Sequence, residues 1–239
     1  MAETAKPSPI YLLAGGAGSS RKKGDLLLTQ VLASCGVPQP SVAYVGAASD
    51  DDQGFFSMLA NHMSGSGAGQ VTLAPLVGER AKIEKTKAIL ESADMVFISG
   101  GDVEAGMEVL EEREILPFLR RLHGGGKPFF GLSAGSIMLS QQWVCWDDPD
   151  DDATASLFPC MGLAPLLCDT HGEAEGWEEL HALLRLTAEG TLGYGIPSGT
   201  GLCVDPGGTV EAMGDSVHRY AHRGGKVVRI ADLEPQIIV

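Results

Sequence analysis

Phe129-Phe130-Gly131-Leu132-Ser133-Ala134-Gly135-Ser136 is the stretch on which the reading of this chain turns. An apolar, β-rich run enters Gly-x-Ser-x-Gly, and a helix-like run leaves it. The pattern predicts a tight strand-to-helix turn with Ser133 at its tip, the hydroxyl standing clear of the backbone. Small residues flank the serine because such a turn brings strand and helix close together. The backbone N–H of Ala134 then faces the space beside that hydroxyl. A plain tight turn is the alternative, because Gly and Ser are common and loops produce this spacing by chance.

Short apolar runs and helical patterns alternate on the N-terminal side of this turn. Pro9–Ala14, Ser41–Val45, Val71–Leu76, Met95–Ser99 and Pro128–Leu132 read as strands. Leu26–Cys35, Gln53–Met63, Arg80–Glu91 and Val103–Leu122 read as helices, the last expected to kink or break at Pro117. This order implies an α/β fold: a doubly wound, mostly parallel sheet flanked by helices in a three-layer sandwich. Sites in such folds lie at the carboxyl ends of the strands, so Gly15-Gly16, Gly100-Gly101 and Ser133 are expected to share one edge. Beyond the turn, Trp143–Pro159 is polar and acidic and reads as a loop over that edge. Gly172–Leu186 resumes a helical pattern, and Leu192–Ile230 reads as short strands joined by Gly turns. No internal repeat or linker interrupts the chain. One domain over residues 1–239 is expected, with 1–7 flexible.

Bulk properties narrow the partners. A chain of 239 residues can bury a large core without disulfide staples. Its formal net charge of −14 argues against nucleic acid or an anionic membrane, both of which call for clustered Lys and Arg. Five cysteines, with no C-x-x-C pair and no zinc spacing, read as reduced thiols. No run reaches the ~18–20 apolar residues of a membrane span, and Met1–Lys6 has no apolar signal region. Cytoplasm is therefore the expected location, as a monomer or homodimer. Gly16-Ala17-Gly18-Ser19-Ser20-Arg21 looks like a dinucleotide fingerprint, but Arg21 replaces its third glycine, and Asp50–Asp52 come late for the ribose acid. No cofactor and no metal are expected.

A hydroxyl nucleophile needs a base and a group that orients the base. His62, His123 and His181 sit in polar helical patterns, while His218 and His222 lie in the C-terminal strands near Asp215. His171 follows the apolar run Met161–Leu167 at the end of Cys168-Asp169-Thr170-His171-Gly172, the exit of a buried segment just before a helix. At this point a solvated histidine at a helix start stays open as its alternative. Asp147, Asp148, Asp150, Asp151 and Asp152 supply candidate acids. Most of such a run is expected to be solvated loop, and Pro149 and the spacing disfavour a calcium loop. Gly101 could offer an N–H alongside that of Ala134 to a developing oxyanion, or serve only a tight turn.

Taken in order, these pieces resemble the dipeptidase E and cyanophycinase group of serine peptidases, which have the class I glutamine-amidotransferase-like, flavodoxin-like fold. Ser99-Gly100-Gly101-Asp102, Gly131-Leu132-Ser133-Ala134-Gly135, Asp169-Thr170-His171 and Gly195-Ile196-Pro197 carry the resemblance, which covers roughly residues 8 to 230. It implies Ser133 as nucleophile, His171 as general base, Gly101 and Ala134 as the oxyanion hole, and Asp148, with Asp147 adjacent, as the acid. It also implies a small peptide or isopeptide as substrate, met by Asp102, Thr170, Glu173 and Glu175. Two departures stand out. Members that cleave after aspartate tend to carry arginines after the histidine, whereas Gly172–Glu179 holds four glutamates and no arginine. Such a wall would repel an aspartyl side chain and favour a basic or free-amine substrate. Ser198 also stands where an acid often follows the Gly-Ile-Pro strand. Two rivals remain. An α/β-hydrolase esterase would draw its base from His218 with Asp215, and a non-enzymatic binding protein could use the same fold. A glutamine amidotransferase proper is set aside, since it needs a cysteine where Ser133 stands.

Overall fold

A computed structural model describes residues 7–15, 25–78, 81–148 and 151–235 of the chain. The glycine-rich segment at 16–21, residues 1–6 of the expected flexible start, and Asp150 lie outside these residues. The strands forecast before Ser133 form, in order, β1 (Ile10–Leu13), β2 (Val42–Val45), β3 (Val71–Leu73), β4 (Met95–Ile98) and β5 (Phe129–Leu132). Alternating with them are α1 (Leu26–Ala33), α2 (Gln53–Gly65), α3 (Ile83–Ser92), α4 (Val103–Glu112) and α5 (Leu116–Gly124). Helix α6 (Ala134–Leu139) leaves the serine turn. Beyond it come the strands β6 (Gln142–Trp146), β7 (Ala155–Pro159) and β8 (Leu167–Thr170) and helix α7 (Glu178–Arg185). The chain continues through β9 (Leu192–Ile196), β10 (Gly201–Val204), β11 (Val210–Met213), β12 (Val217–Arg223) and β13 (Lys226–Leu233).

The main sheet has seven strands in the order β11-β10-β1-β5-β4-β2-β3. Its five N-terminal strands are parallel, and β10 and β11 extend it antiparallel past β1. The doubly wound, mostly parallel α/β architecture read from the sequence is the one observed. Its central strands are apolar along their whole length because helices cover both faces. Side-chain alternation splits the core in two. Tyr44, Phe97 and Phe130 face α1 and α2 through Leu28, Val31, Leu59 and Met63. Val96, Ile98 and Phe129 face the other helices through Met107, Leu110, Leu119 and Met138. The first face carries an aromatic row, with ring centres 5.2 Å apart for Tyr44–Phe97 and 4.9 Å for Phe97–Phe130. Each such contact contributes about 0.5–1.5 kcal/mol beyond its buried area.

The structure departs from the sequence reading in two places. Val103–Leu122 is two helices, and the break falls at Glu114, whose φ is 52°, rather than at Pro117. Pro117 instead sits in the first turn of α5, where a missing N–H costs nothing. The expected loop at 143–159 is largely an antiparallel hairpin of β6 and β7, with Trp143 paired to Phe158. The short C-terminal strands form where they were read, divided between two sheets. β8, β9, β12 and β13 make a separate four-stranded sheet in the order β13-β12-β9-β8. Among the described residues, no helix is long and apolar enough to cross a membrane.

Candidate active site

Ser133 is held in a strained conformation, φ 54° and ψ −125°. The turn around it is tied down from three sides. The Ser133 N–H donates to the Leu13 carbonyl at 2.9 Å, and the Ser136 hydroxyl donates to the same carbonyl at 2.8 Å. Gly135 lies so close to β4 that a Cβ there would fall onto the Ile98 carbonyl. A non-glycine residue with positive φ persists only where its surroundings over-determine it. Here β1, β4 and β5 do so, and the hydroxyl stands at the carboxyl edge of the sheet.

His171 comes to it from the other sheet. The residue ends β8 with φ 47°, and its N–H donates to the Ile196 carbonyl of β9 at 2.9 Å. Its Nε2 lies 2.7 Å from Ser133 Oγ. With the ring proton on Nδ1, the hydroxyl donates to Nε2, the geometry of a nucleophile and its base. Gly101, with φ 142°, is packed where a Cβ would collide with the Ala48 carbonyl, and the next N–H, of Asp102, donates to that carbonyl at 2.8 Å. Ala134 opens α6, so its N–H belongs to a first turn that has no intrahelical acceptor.

These groups line one cleft of about 260 Å³, together with Asp102, Glu104, Trp143, Asp169, Thr170 and Glu179. Ser133, Ala134, His171, Gly101, Asp102 and Thr170, singled out from the sequence, thus meet there. Glu173, Glu175 and Asp148 are not among the lining residues. Glu173 turns away to accept the N–H of Ser198, at the end of β9, and its carboxyl stays below its usual value, with His171 contributing favourably. Asp148 lies in the β6–β7 connection, where its N–H donates to the Thr154 hydroxyl at 3.0 Å. Among the described residues, no group of three or more His, Cys, Asp or Glu is arranged to hold a metal ion.

One lining acid, Asp169, was not foreseen, and another, Glu179, ends the acidic wall read at Gly172–Glu179. Asp169 is 4% exposed, and burial pushes its carboxyl up to about 7; one N–H bond, from Thr170, works against that rise, while Glu179, Glu175 and Glu173 add to it. Burial and Glu175 also raise the Glu179 carboxyl, and His171 opposes them. A lone acid within the apolar run Leu166-Leu167-Cys168-Asp169 was the available signal for Asp169, since charged residues are rarely buried without a reason.

Comparison with known proteins identifies the family. The profile of peptidase family S51 matches residues 10–211, and the chain belongs to that family. It is 27% identical over 129 residues to Peptidase E of Pasteurella multocida and 27% identical over 142 residues to that of Haemophilus influenzae. These alignments cover 51% and 56% of this chain, and the chain spans 55% and 62% of the length of these curated relatives. The crystal structure of a peptidase from an acI-B1 Actinobacterium superposes with a TM-score of 0.72 at 14% identity, covering 97% of this chain and 98% of the other. That likeness speaks for the fold alone.

Proposed function

We propose that this chain is a serine peptidase that hydrolyses an amide bond in a small peptide. The observation that carries this reading is the 2.7 Å contact between Ser133 Oγ and His171 Nε2 at the tip of a strained strand-to-helix turn. His171 takes the hydroxyl proton as Ser133 attacks the carbonyl, then gives it to the leaving amine. The N–H groups of Gly101 and Ala134 receive the oxyanion. Small peptides suit a cleft of about 260 Å³. Substrates with an aspartyl side chain at the scissile bond do not suit its acidic lining.

The acid that orients His171 is the least constrained member. Asp148 is the candidate from the resemblance, and Glu173 and Glu179 are two further carboxylates whose charge His171 favours. Replacing each in turn by its amide separates them: the true partner lowers kcat by on the order of 10²–10⁴, and the others leave it within a few-fold. The reading as a whole is tested by a fluorophosphonate, which should label Ser133 in the folded protein and fail to label Ser133→Ala. Absence of labelling and of turnover would favour a binding protein on the same fold.

A further inference from the structure

Among the described residues, the cleft is lined by four carboxylates, on Asp102, Glu104, Asp169 and Glu179, and by no Lys or Arg. Three of them have a local reason to be there. Asp102 caps α4 by accepting the Ala105 N–H at 3.0 Å, and Glu104 lies in the first turn of the same helix, where the helix dipole favours an acid. Glu179 likewise lies in the first turn of α7, whereas Asp169, within a strand, has the N–H of the adjacent Thr170 at 2.6 Å. Asp169 is almost fully buried, and the charges acting on it are those of further acids. Glu179 has Glu175 against it and only His171 in its favour. Thr170, lining the same cleft, is 3% exposed, and its hydroxyl has no hydrogen-bond partner among the described residues. Gathering like charges in a half-enclosed space is costly unless a counter-charge joins them, and a buried hydroxyl without a partner is a further cost.

We propose that Asp169 and Glu179 form a subsite for a cationic group next to the scissile carbonyl, with the Thr170 hydroxyl available to the same ligand. The shared chemistry is an ammonium or guanidinium, supplied either by the free α-amine of the residue whose carbonyl is attacked or by its Lys or Arg side chain. This rests on the peptidase reading of Ser133. It extends that reading from what the substrate is not to what it carries.

A panel of lysyl, norleucyl and aspartyl p-nitroanilides, each with a free and an acetylated α-amine, tests it on the intact protein. The expected result is a kcat/KM at least about tenfold higher for cationic members than for acetyl-norleucyl anilide, with acetyl-aspartyl anilide the poorest. A preference that follows the free amine identifies the α-ammonium, and one that survives acetylation on lysine identifies the side chain. Glu179→Gln should cut the ratio of cationic to neutral turnover by about tenfold, a readout that a purely structural role would not move. Fluorophosphonate labelling of Ser133 without any cationic preference, or with aspartyl substrates preferred, overturns the subsite and leaves the peptidase reading standing. No labelling and no turnover overturn both.

Discussion

At the scale of single residues, the site depends on positions where one atom more or one charge less is decisive. Removing the Ser133 hydroxyl should lower kcat by on the order of 10⁴–10⁶ in steady-state assays, because it is the hydroxyl that meets the His171 ring. Asp169 offers a test that needs no substrate. Its carboxyl is raised from 3.8 to about 7 in the folded protein. The folded state therefore holds a proton that the unfolded chain has already released between these values. Stability is greatest below pH 4 as far as this group is concerned, and it falls as pH rises through about 7. Asp169→Asn should accordingly raise the melting temperature at pH 8 and change it little at pH 4. A melting curve that shows the gain only in acid would contradict the assignment. Much of this scale was legible in advance. Ser133, Ala134 and Gly101 sit in short motifs whose backbone needs dictate the residue type. Asp169 was not, because its importance comes from its burial beside the other acids of the cleft.

At the scale of elements, local chemistry sets the boundaries. Helix α2 begins where the Asp52 side chain accepts the Phe55 N–H at 2.6 Å. Asp52→Ala should cost about 1 kcal/mol in urea unfolding and leave activity within a few-fold, since Asp52 is not among the residues lining the cleft. Elements with strong periodicity or continuous apolar runs were readable within a few residues. The β6–β7 hairpin was not, because Trp143 and Val144 are both buried and hide the alternation of a half-exposed strand. The aspartates between its strands then dominate the composition. The break before α5 was placed at Pro117 because proline is the usual interrupter, yet Glu114 makes the turn and proline starts the next helix.

At the scale of the whole molecule, the parallel sheet followed from the order of its elements, whereas the partition of the late strands did not. β10 joins the main sheet through β1, while β9 and β12 pair in the second, and such long-range pairing leaves no local mark. The partition also bears on the esterase alternative. His218 lies on β12 with Nδ1 3.1 Å from an Asp232 oxygen, beside Arg229, and is not among the residues lining the cleft. His171→Ala should abolish turnover by at least about 10³-fold, and His218→Ala should keep it within a few-fold, both measured by kcat/KM.

Ser133 stands on the seven-stranded sheet and His171 on the four-stranded one. Their 2.7 Å contact is thus a gauge of the seam between two separately hydrogen-bonded bodies. A slip of about 1 Å along that seam leaves every strand pair intact and still uncouples the nucleophile from its base. On heating, turnover should be lost some degrees before the circular dichroism of either sheet changes, so that the enzyme registers a loosening that its secondary structure does not.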